Sequence, residues 1–459
     1  MYILYSLALT LGVIVLLPRF VWDAVRHGKY VEGLSQRLGN IPSFAETLQK
    51  VIWVHCVSVG ETLAARPLIE AIRRQYPSHS IIISTTTATG QEVARKMFGE
   101  LCAAVMYFPF DWRWCVKRAL KRTRPSAVLI TETEIWPNFL RECESASIPV
   151  AIVNGRLSVT SFRRYRWIKA FIGKVLKGIT VAIMQTESDA ERISELGLKS
   201  TRIKVSGNIK FDLGSDAAID ELANKLKSRF EFDGSRPLLV AASTHSPEEQ
   251  ILLDVFRRIK ADRNGTAPRL LIAPRHPERF GETASVIDGS GFTWARRSDQ
   301  PLSSDKTAEI ILLDTIGELR STYALADVVF VGGSVANHGG HNLLEPAAAG
   351  ACIITGPHTE NFTEIVSIML KSGAVIQLVD GPPPESTASL LASIEELMND
   401  TEKRRVMGQS ALKVVEQNRG ATERTMEFLE PLFTDKPGPK ELYTSQKDRT
   451  GEEHQRPAR

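Results

Sequence analysis

The chain has 459 residues, of which 43% are hydrophobic and 24% charged, and these fractions exclude an intrinsically disordered protein. Its length allows two domains with separate cores, and its net charge of +4 is too small to argue for nucleic-acid binding. The five cysteines form no CxxC pair and no cluster with histidine, which favours reduced, buried thiols in a cytosolic compartment.

The N-terminus is the first segment with a clear pattern. Its first eighteen residues carry no charged side chain, and as a helix they would reach about 27 Å, close to the thickness of a bilayer core. Basic residues follow at Arg19, Arg26, Lys29 and Arg37, which places the rest of the chain in the cytoplasm. We therefore predict a membrane anchor over residues 1–20; the alternative is a buried N-terminal helix.

Short apolar runs rich in Val and Ile alternate with amphipathic segments along the chain. Seven runs come first: VIWVHCVSV, SIIISTTT, AAVMYFPF, AVLITETE, PVAIVNG, TVAIMQTE and IKVSGNIK. Six follow: PLLVAAST, PRLLIAPRH, EIILLDTI, DVVFVGGS, ACIITGP and AVIQLVD. Such runs are typical of strands buried on both faces of a parallel sheet, so we predict an α/β protein with two doubly wound, Rossmann-like domains.

The domain boundaries follow from the segments between and after these runs. LGSDAAIDELANKLKSRFEFDGSRP predicts a helix framed by polar turns that links the two domains. We place the first domain at residues 21–215 and the second at residues 216–435, with its last helix near 401–432. Residues 436–459 show no core-forming pattern, which predicts a disordered tail.

Polar or Gly-rich segments follow nearly every predicted strand. They are SVGE, TTTATGQE, TETEIWPN, NGRLS and GNIKFD in the first domain, and STHSPEE, PRHPERF, DTIGEL, GGSVANHGGHNLLEP and GPHTENF in the second. Ligands of doubly wound sheets bind at the carboxyl ends of the strands, near the point where the strand order reverses. This asymmetry predicts an active site between the two domains.

Glu61 is the lone carboxylate in the segment HCVSVGE. Together with Ser58 it has the Ser-x-x-Glu spacing of a helix capping box, so it is either a cap or a base at the mouth of the sheet. A helix N-terminus stabilises negative charge, and we therefore expect a pKa below the usual carboxylate value.

The second domain carries several features of a nucleotide site. Ser243 and Thr244 precede a helix, and residues 332–334 form a Gly-rich turn; free N–H groups at such places suit a phosphate. Arg275 offers a bidentate phosphate contact, and Glu345 can accept hydrogen bonds from two ribose hydroxyls. These features predict nucleotide binding without the GxGxxG dinucleotide motif.

The sequence argues against a bound metal. His338, His341 and His358 lack the spacing of known metal ligands, and no DxD motif occurs, so loop histidines that form hydrogen bonds are favoured. Glu132 and Glu134 share one face of a strand and are the weaker candidates for binding a cation.

A basic patch lies in the first domain. Residues 111–180 contain fourteen Lys or Arg and five Asp or Glu, and SFRRYRWIKAFIGKVLK mixes basic with aromatic residues. This pattern is typical of a helix on an anionic membrane surface; a solvated helix face is the alternative.

Eight blocks, in order, resemble the signatures of the 3-deoxy-D-manno-octulosonic acid (Kdo) transferase family. They are WVHCVSVGE, TETEIWPN, NGRLS, GNIKFD, STHSPEE, APRHPERF, GGHNLLEPAAAG and GPHTENF. The resemblance extends from the anchor to about Leu432. The chain departs from the family pattern in STHSPEE, in TIGEL, in the loop SVANHGG and in its long C-terminal tail.

The resemblance implies a GT-B glycosyltransferase that moves Kdo from CMP-Kdo to a lipid A precursor, with inversion, at the cytoplasmic face of the inner membrane, without a metal or other cofactor. It implies that Glu61 is the proton acceptor and that Glu132 and Lys210 stabilise the transition state. The residues implied to contact CMP are Pro274, Arg275, Ile316, Gly317, Glu318, Asn342, Leu343, Leu344 and Glu345.

Two alternatives remain at this point. One is another GT-B enzyme, either a nucleotide-sugar epimerase or a transferase that uses a UDP-sugar, and release of CMP or of UDP would distinguish it. The other is a non-catalytic, membrane-tethered nucleotide-sugar binder, which would bind the donor without turnover.

Overall fold

The structure is a computed structural model that describes residues 1–27, 32–44, 50–212, 217–261, 267–381 and 383–434. It divides into two compact units: residues 1–212 with 419–434 form unit 1, and residues 217–418 form unit 2. Each unit contains a parallel sheet of seven strands, which confirms the predicted α/β class with two parallel sheets.

Unit 1 is a doubly wound sheet covered by helices. Its strands are β1 Val51–His55, β2 Ser80–Thr85, β3 Ala104–Tyr107, β4 Ala127–Thr131, β5 Val150–Gly155, β6 Val181–Met184 and β7 Ile203–Val205, in the order β3-β2-β1-β4-β5-β6-β7. Its first ten helices are α1 Tyr2–His27, α2 Leu34–Arg37, α3 Val59–Ala64, α4 Arg66–Gln75, α5 Ala88–Phe98, α6 Arg113–Thr123, α7 Pro137–Ser145, α8 Val159–Trp167, α9 Lys169–Val175 and α10 Glu187–Glu195. Both faces of the sheet are buried: Trp53 packs in one core, and its neighbours Ile52 and Val54 pack in the other.

Unit 2 repeats this architecture. Its strands are β8 Leu238–Thr244, β9 Arg269–Pro274, β10 Trp294–Arg296, β11 Ile310–Leu312, β12 Val328–Val331, β13 Cys352–Thr355 and β14 Val375–Gln377, in the order β10-β11-β9-β8-β12-β13-β14. Its helices are α11 Ala217–Phe230, α12 Glu248–Ala261, α13 Phe280–Asp288, α14 Leu319–Tyr323, α15 Leu344–Ala348, α16 Thr363–Lys371, α17 Pro383–Asn399 and α18 Thr401–Asn418. Strand β10 was not predicted: it has three residues at the sheet edge, only one of them buried, and so lacks an apolar run.

The C-terminal helical region differs from the prediction of one helix that ends the second domain. Helix α18 ends at Asn418, and a further helix, α19 Ala421–Phe433, belongs to unit 1. Gly420 has a φ of 84°, which interrupts the helix, and the Asp212 carboxylate accepts hydrogen bonds from the N–H groups of Gly420 and Thr422. The second domain therefore ends at Asn418 instead of the predicted residue 435. The predicted tail, 436–459, lies outside the described residues.

Helix α1 packs against unit 1 through polar side chains on one face. The Tyr5 hydroxyl donates to Asp111 at 2.9 Å, and the Thr10 hydroxyl accepts from the Trp112 indole at 3.0 Å. The opposite face exposes apolar side chains: Ile3, Leu4, Leu7, Leu11, Ile14 and Val15. Within the described part of the chain, no helix is both long enough and apolar enough to cross a membrane. The anchor therefore stays a prediction.

The basic, aromatic segment SFRRYRWIKAFIGKVLK does not form one helix as predicted. Helix α8 ends at Trp167 and α9 begins at Lys169, with Ile168 between them outside helical geometry. Helix α8 has no buried residue, and Trp167 is 91% exposed. The segment thus presents Trp167 and basic side chains to solvent on a short surface helix, whereas Phe162 and Tyr165 pack against the core of unit 1.

Candidate active site

Each sheet has one position where the strand order reverses. In unit 1 it lies between β1 and β4, and in unit 2 between β8 and β12. The loops after these strands diverge and leave a crevice at the carboxyl ends, which is where doubly wound proteins bind ligands. Glu61 follows β1 and Glu132 follows β4, while His245 follows β8 and the segment 332–341 follows β12.

Glu61 is both a cap and a fixed, nearly buried carboxylate. Its N–H donates to the hydroxyl of Ser58, the N-cap of α3, at 3.4 Å. In return its Oε1 accepts from the Ser58 hydroxyl at 3.0 Å, and its Oε2 accepts from the Val57 N–H at 2.8 Å. The Thr131 hydroxyl lies 2.9 Å from Oε2, and the residue is 8% exposed. Both carboxylate oxygens are therefore held in one orientation.

The pKa of Glu61 differs from the prediction. Burial raises it above the ordinary carboxylate value, and the negative charge of Glu132 adds to the rise, although hydrogen bonds from Val57, Thr131 and Ser58 oppose it. The expectation of a lowered pKa was wrong because it counted the helix N-terminus and not the desolvation of a side chain packed between two loops. A raised pKa makes Glu61 a stronger proton acceptor.

Glu132 and Lys210 form an ion pair beside this carboxylate. The Lys210 Nζ lies 3.2 Å from Glu132 Oε1, and both side chains are partly exposed. Lys210 sits on a 3₁₀ turn at Ile209–Phe211, whose first N–H donates to the Asn154 side chain at 3.1 Å. Glu132 and Lys210, two of the three predicted catalytic residues, thus contact each other directly. The charge of Glu132 also raises the pKa of the third, Glu61.

Glu134 is a further carboxyl group in this cluster, and the sequence had singled it out only as a weak candidate for binding a cation. Burial, together with the negative charges of Glu61 and Glu132, raises its pKa to about 7. The described residues contain no group of three or more His, Cys, Asp or Glu arranged to hold a metal ion. The cluster is therefore a place where protons can be held near neutral pH.

In unit 2, the Gly-rich turn after β12 is not free to bind a phosphate through its amides. The Glu248 carboxylate accepts hydrogen bonds from the N–H groups of residues 333–336 at 2.8 to 3.2 Å, and from His245 N–H at 2.9 Å. The prediction of free N–H groups in the turn Gly332, Gly333 and Ser334 was wrong because α12 supplies its own anion. No separate signal in the sequence indicated this role of Glu248.

Ser243, Thr244, Pro274 and Arg275 lie together at the ends of β8 and β9. Ser243 has a φ of 54°, and the Thr244 hydroxyl donates to Glu249 at 2.8 Å, so this hydroxyl is already used within the protein. The Arg275 N–H donates to the Thr244 carbonyl at 3.0 Å, which fixes the Arg275 backbone at the end of β9. The Arg275 side chain is exposed.

The other predicted CMP contacts divide into exposed and buried groups. Ile316 is exposed, Gly317 has a φ of 91°, and Glu318 pairs with Arg297 at 2.8 Å. Leu343 and Leu344 are fully buried, so only their backbone groups are available to a ligand.

The neighbouring polar groups of this loop are better placed for a ligand. The Asn342 side chain accepts from the N–H of Leu344, the first residue of α15, at 3.1 Å. Burial raises the pKa of Glu345, whereas the charges of Arg320 and Arg275 lower it.

Four histidines meet at the switch point of unit 2. The Nε2 atoms of His245 and His341 are 2.9 Å apart, the His338 ring stacks on His245 at 4.1 Å, and the His276 ring meets it edge-on at 5.2 Å. His358, the third histidine noted in the sequence, instead lies near Glu360 and Asp380. The sequence did not group His245 and His276 with the others because they follow different strands.

Comparisons with known proteins identify similar sequences over most of the chain. A family model described as "3-Deoxy-D-manno-octulosonic-acid transferase (kdotransferase)" matches residues 32–213. A 3-deoxy-D-manno-octulosonic acid transferase from Haemophilus influenzae is 35% identical over 412 residues, which cover 89% of this chain and 93% of that protein. One from Bordetella pertussis is 32% identical over 93% of this chain and 98% of that protein.

Solved structures support the fold alone. A UDP-GlcNAc 2-epimerase from Neisseria meningitidis, bound to UDP-GlcNAc, matches with a TM-score of 0.52 and 14% sequence identity. The match covers 83% of this chain and all of that one.

Proposed function

Because the chain belongs to the family of 3-deoxy-D-manno-octulosonic acid (Kdo) transferases and is a glycosyltransferase, we propose that it moves Kdo from CMP-Kdo to a lipid A precursor. This transfer is a step of lipopolysaccharide biosynthesis. The observation that carries the proposal is the Glu61 carboxylate, held at the switch point of unit 1 beside the Glu132–Lys210 ion pair.

Glu61 acts as the proton acceptor in this proposal. As the acceptor hydroxyl oxygen bonds to the anomeric carbon of Kdo, its proton passes to the Glu61 carboxylate. The bond from that carbon to the phosphate oxygen breaks, and CMP leaves with the electron pair. Attack from the side opposite CMP inverts the anomeric centre. The fixed carboxylate orientation supports this role, since reorientation costs little at the moment of transfer.

Lys210 and Glu132 are proposed to stabilise the transition state. A partly exposed ammonium group beside the base can stabilise negative charge on the reacting groups, and Glu132 holds that ammonium group 3.2 Å away. The 3₁₀ turn fixed by Asn154 supports this role because it restricts where Lys210 can reach.

Unit 2 is proposed to bind the nucleotide of the donor. Arg275 offers its exposed guanidinium group to the phosphate, and Glu345 offers its carboxylate to the ribose hydroxyls. We further propose that no metal ion takes part, because protein cations can neutralise the leaving group.

We also propose that the enzyme works at the cytoplasmic side of the inner membrane. Support comes from the exposed apolar side chains of α1, such as Leu4 and Leu11, and from Trp167 among the basic residues of α8. Aromatic and basic side chains on one surface suit the headgroup region of an anionic leaflet. A lipid acceptor would be presented from such a surface.

The alternatives are weaker. The epimerase shares the fold at 14% identity, whereas two Kdo transferases exceed 30% identity over about nine-tenths of the chain. The test is to incubate the full chain with a lipid A precursor and either CMP-Kdo or a UDP-sugar, and to weigh the lipid product. A mass increase of one or more Kdo units, with release of CMP, is expected. Release of UDP, or donor binding without product, would contradict the proposal.

A further inference from the structure

Hydrogen bonds and close packing within unit 2 hold the four-histidine cluster in place. The Glu248 carboxylate fixes the amides of residues 333–336, and this shapes the loop that carries His338 and His341. A Cβ atom at Gly333 would lie 2.8 Å from the His341 ring, so only glycine permits this approach. The loop that resembles a phosphate-binding turn therefore serves to present imidazoles.

Solvent can reach the cluster from one side. His276 and His338 are exposed, His341 is half-buried, and His245 is buried behind them. The exposed Arg275 adjoins His341 closely enough to influence its pKa. A ligand that enters from solvent would therefore meet Arg275 and three imidazoles before it met His245.

Charged groups of both signs lie around the His245–His341 pair. Burial, together with the neighbouring imidazoles and arginines, lowers the pKa of His245 to about 4 and that of His341 to about 3. The groups that face the pair are His276, Arg275 and Arg279 after β9, His338 after β12, and Glu248 and Glu249 of α12. The amides of the loop bind Glu248, and Arg279 binds Glu249 at 2.7 Å, so both carboxylates are already engaged.

The free pair is consequently neutral at neutral pH, with one Nε2–H donating to the other Nε2. The donating ring has an unprotonated Nδ1. A proton added there would give an imidazolium ion that keeps the Nε2–Nε2 hydrogen bond. Burial and the nearby Arg275 and Arg279 oppose this proton in the free protein. An anion within about 4–6 Å would favour it by raising the pKa by about 1–3 pH units.

We propose that these four imidazoles, with Arg275, form the phosphate subsite of unit 2, and that phosphate binding is coupled to uptake of one proton from solvent by the His245–His341 pair. The inference rests on the proposed function, in which CMP is the leaving group. It adds that the leaving phosphate meets an imidazolium ion, and that release of CMP returns the proton to solvent.

The test is a pH titration of the full chain with histidine labelled at ¹³Cε1, observed by NMR alone and with CMP, inorganic phosphate or cytidine. His245→Gln and His341→Gln assign the resonances, and His358→Gln, outside the cluster, is the matched control. With CMP or phosphate, at least one of the two pKa values should rise by about 1–3 pH units, and cytidine should leave both unchanged.

The outcomes separate this inference from the proposed function. If CMP binds and neither imidazole shifts, the subsite is wrong while the donor assignment stands. If phosphate shifts the pair but CMP does not bind, the subsite stands and the donor assignment falls. If neither anion shifts the pair, or cytidine shifts it equally, the inference is overturned.

Discussion

At the scale of single residues, the site is governed by desolvation. The capping spacing of Ser58 and Glu61 was readable from the sequence, because a cap is a local feature. The raised pKa of Glu61 was not, because it depends on burial and on Glu132, which is distant in sequence and follows another strand. The family resemblance implied a role for Glu132 and for Lys210, but their ion pair was not predicted, since the two residues are 78 positions apart.

Glu134 should reduce stability at high pH. Folding raises its pKa from 4.5 to about 7, so the protonated form is favoured in the folded state. The stability that the protonated Glu134 contributes is fully present below pH 4.5 and is lost as the pH rises through about 7. The full shift corresponds to about 3 kcal/mol, and partial exposure should reduce the effect to about 1 kcal/mol.

We therefore expect Glu134→Gln to raise the melting temperature at pH 8 relative to wild type, and to leave it nearly unchanged at pH 4. Thermal unfolding at the two pH values measures this. Glu70→Gln, an exposed residue of α4, is the control. Equal effects of Glu134→Gln at both pH values would contradict the pKa assignment.

Lys210→Met should separate catalysis from stability. The Glu132–Lys210 pair is partly exposed, so its loss should cost no more than about 1 kcal/mol of unfolding free energy. Loss of a transition-state contact should slow transfer by about 10²–10³-fold. Chemical denaturation and transfer rates measure the two effects, with Lys199→Met as the exposed control. A variant that transfers at the wild-type rate would remove Lys210 from the mechanism.

Among the helices and strands, the length of the apolar run decided which strands could be predicted from the sequence. Thirteen of the fourteen strands have apolar runs and were found; β10, with three edge residues, has none. The break between α18 and α19 was missed because it depends on the conformation of Gly420 and on Asp212, a contact between residues 208 positions apart. Met426, Leu429 and Phe433 of α19 pack in a core of unit 1, which no local pattern indicates.

Helix α1 should have two faces with separable roles. Leu4→Asp with Leu11→Asp changes the exposed face and should reduce sedimentation with membranes while the melting temperature stays within a few degrees. Tyr5→Phe removes the hydrogen bond to Asp111 and should cost about 1 kcal/mol of stability without loss of membrane association. Membrane fractionation after a salt wash and thermal unfolding test this. Unchanged sedimentation of the double variant would contradict a membrane role for the exposed face.

At the scale of the whole molecule, the sequence predicted two parallel α/β units because buried strands and alternating helices leave a strong periodic signal. It also predicted that ligand-binding residues lie at the carboxyl ends of the strands, where doubly wound sheets bind ligands. It did not predict that Glu248 fills the Gly-rich turn, since glycine patterns do not reveal which anion their amides bind. The four-histidine cluster was not predicted for a different reason: its members lie on three loops, after β8, β9 and β12, that meet only in the folded sheet.

Charge neutralisation by the protein itself predicts that transfer does not depend on a divalent metal. Arg275, Lys210 and the histidine cluster supply the cations in this account. We expect the transfer rate to stay within about twofold of its original value in excess EDTA, where a metal-dependent reaction would lose the several kcal/mol that such an ion contributes. Transfer that stops in EDTA and returns with added magnesium would contradict this and would identify Glu132 and Glu134 as candidate ligands.

The rate of Kdo transfer in Glu61→Gln decides whether Glu61 is the base. Glutamine keeps the capping geometry and removes the proton acceptor, so the variant should bind CMP as wild type does and melt within a few degrees of it. Transfer should fall by at least about a hundredfold. The rise of the wild-type rate with pH, as Glu61 ionises at its raised pKa, should also disappear. Glu70→Gln should transfer at the wild-type rate. A Glu61→Gln protein that transfers Kdo at a near-normal rate would show that Glu61 is only a helix cap.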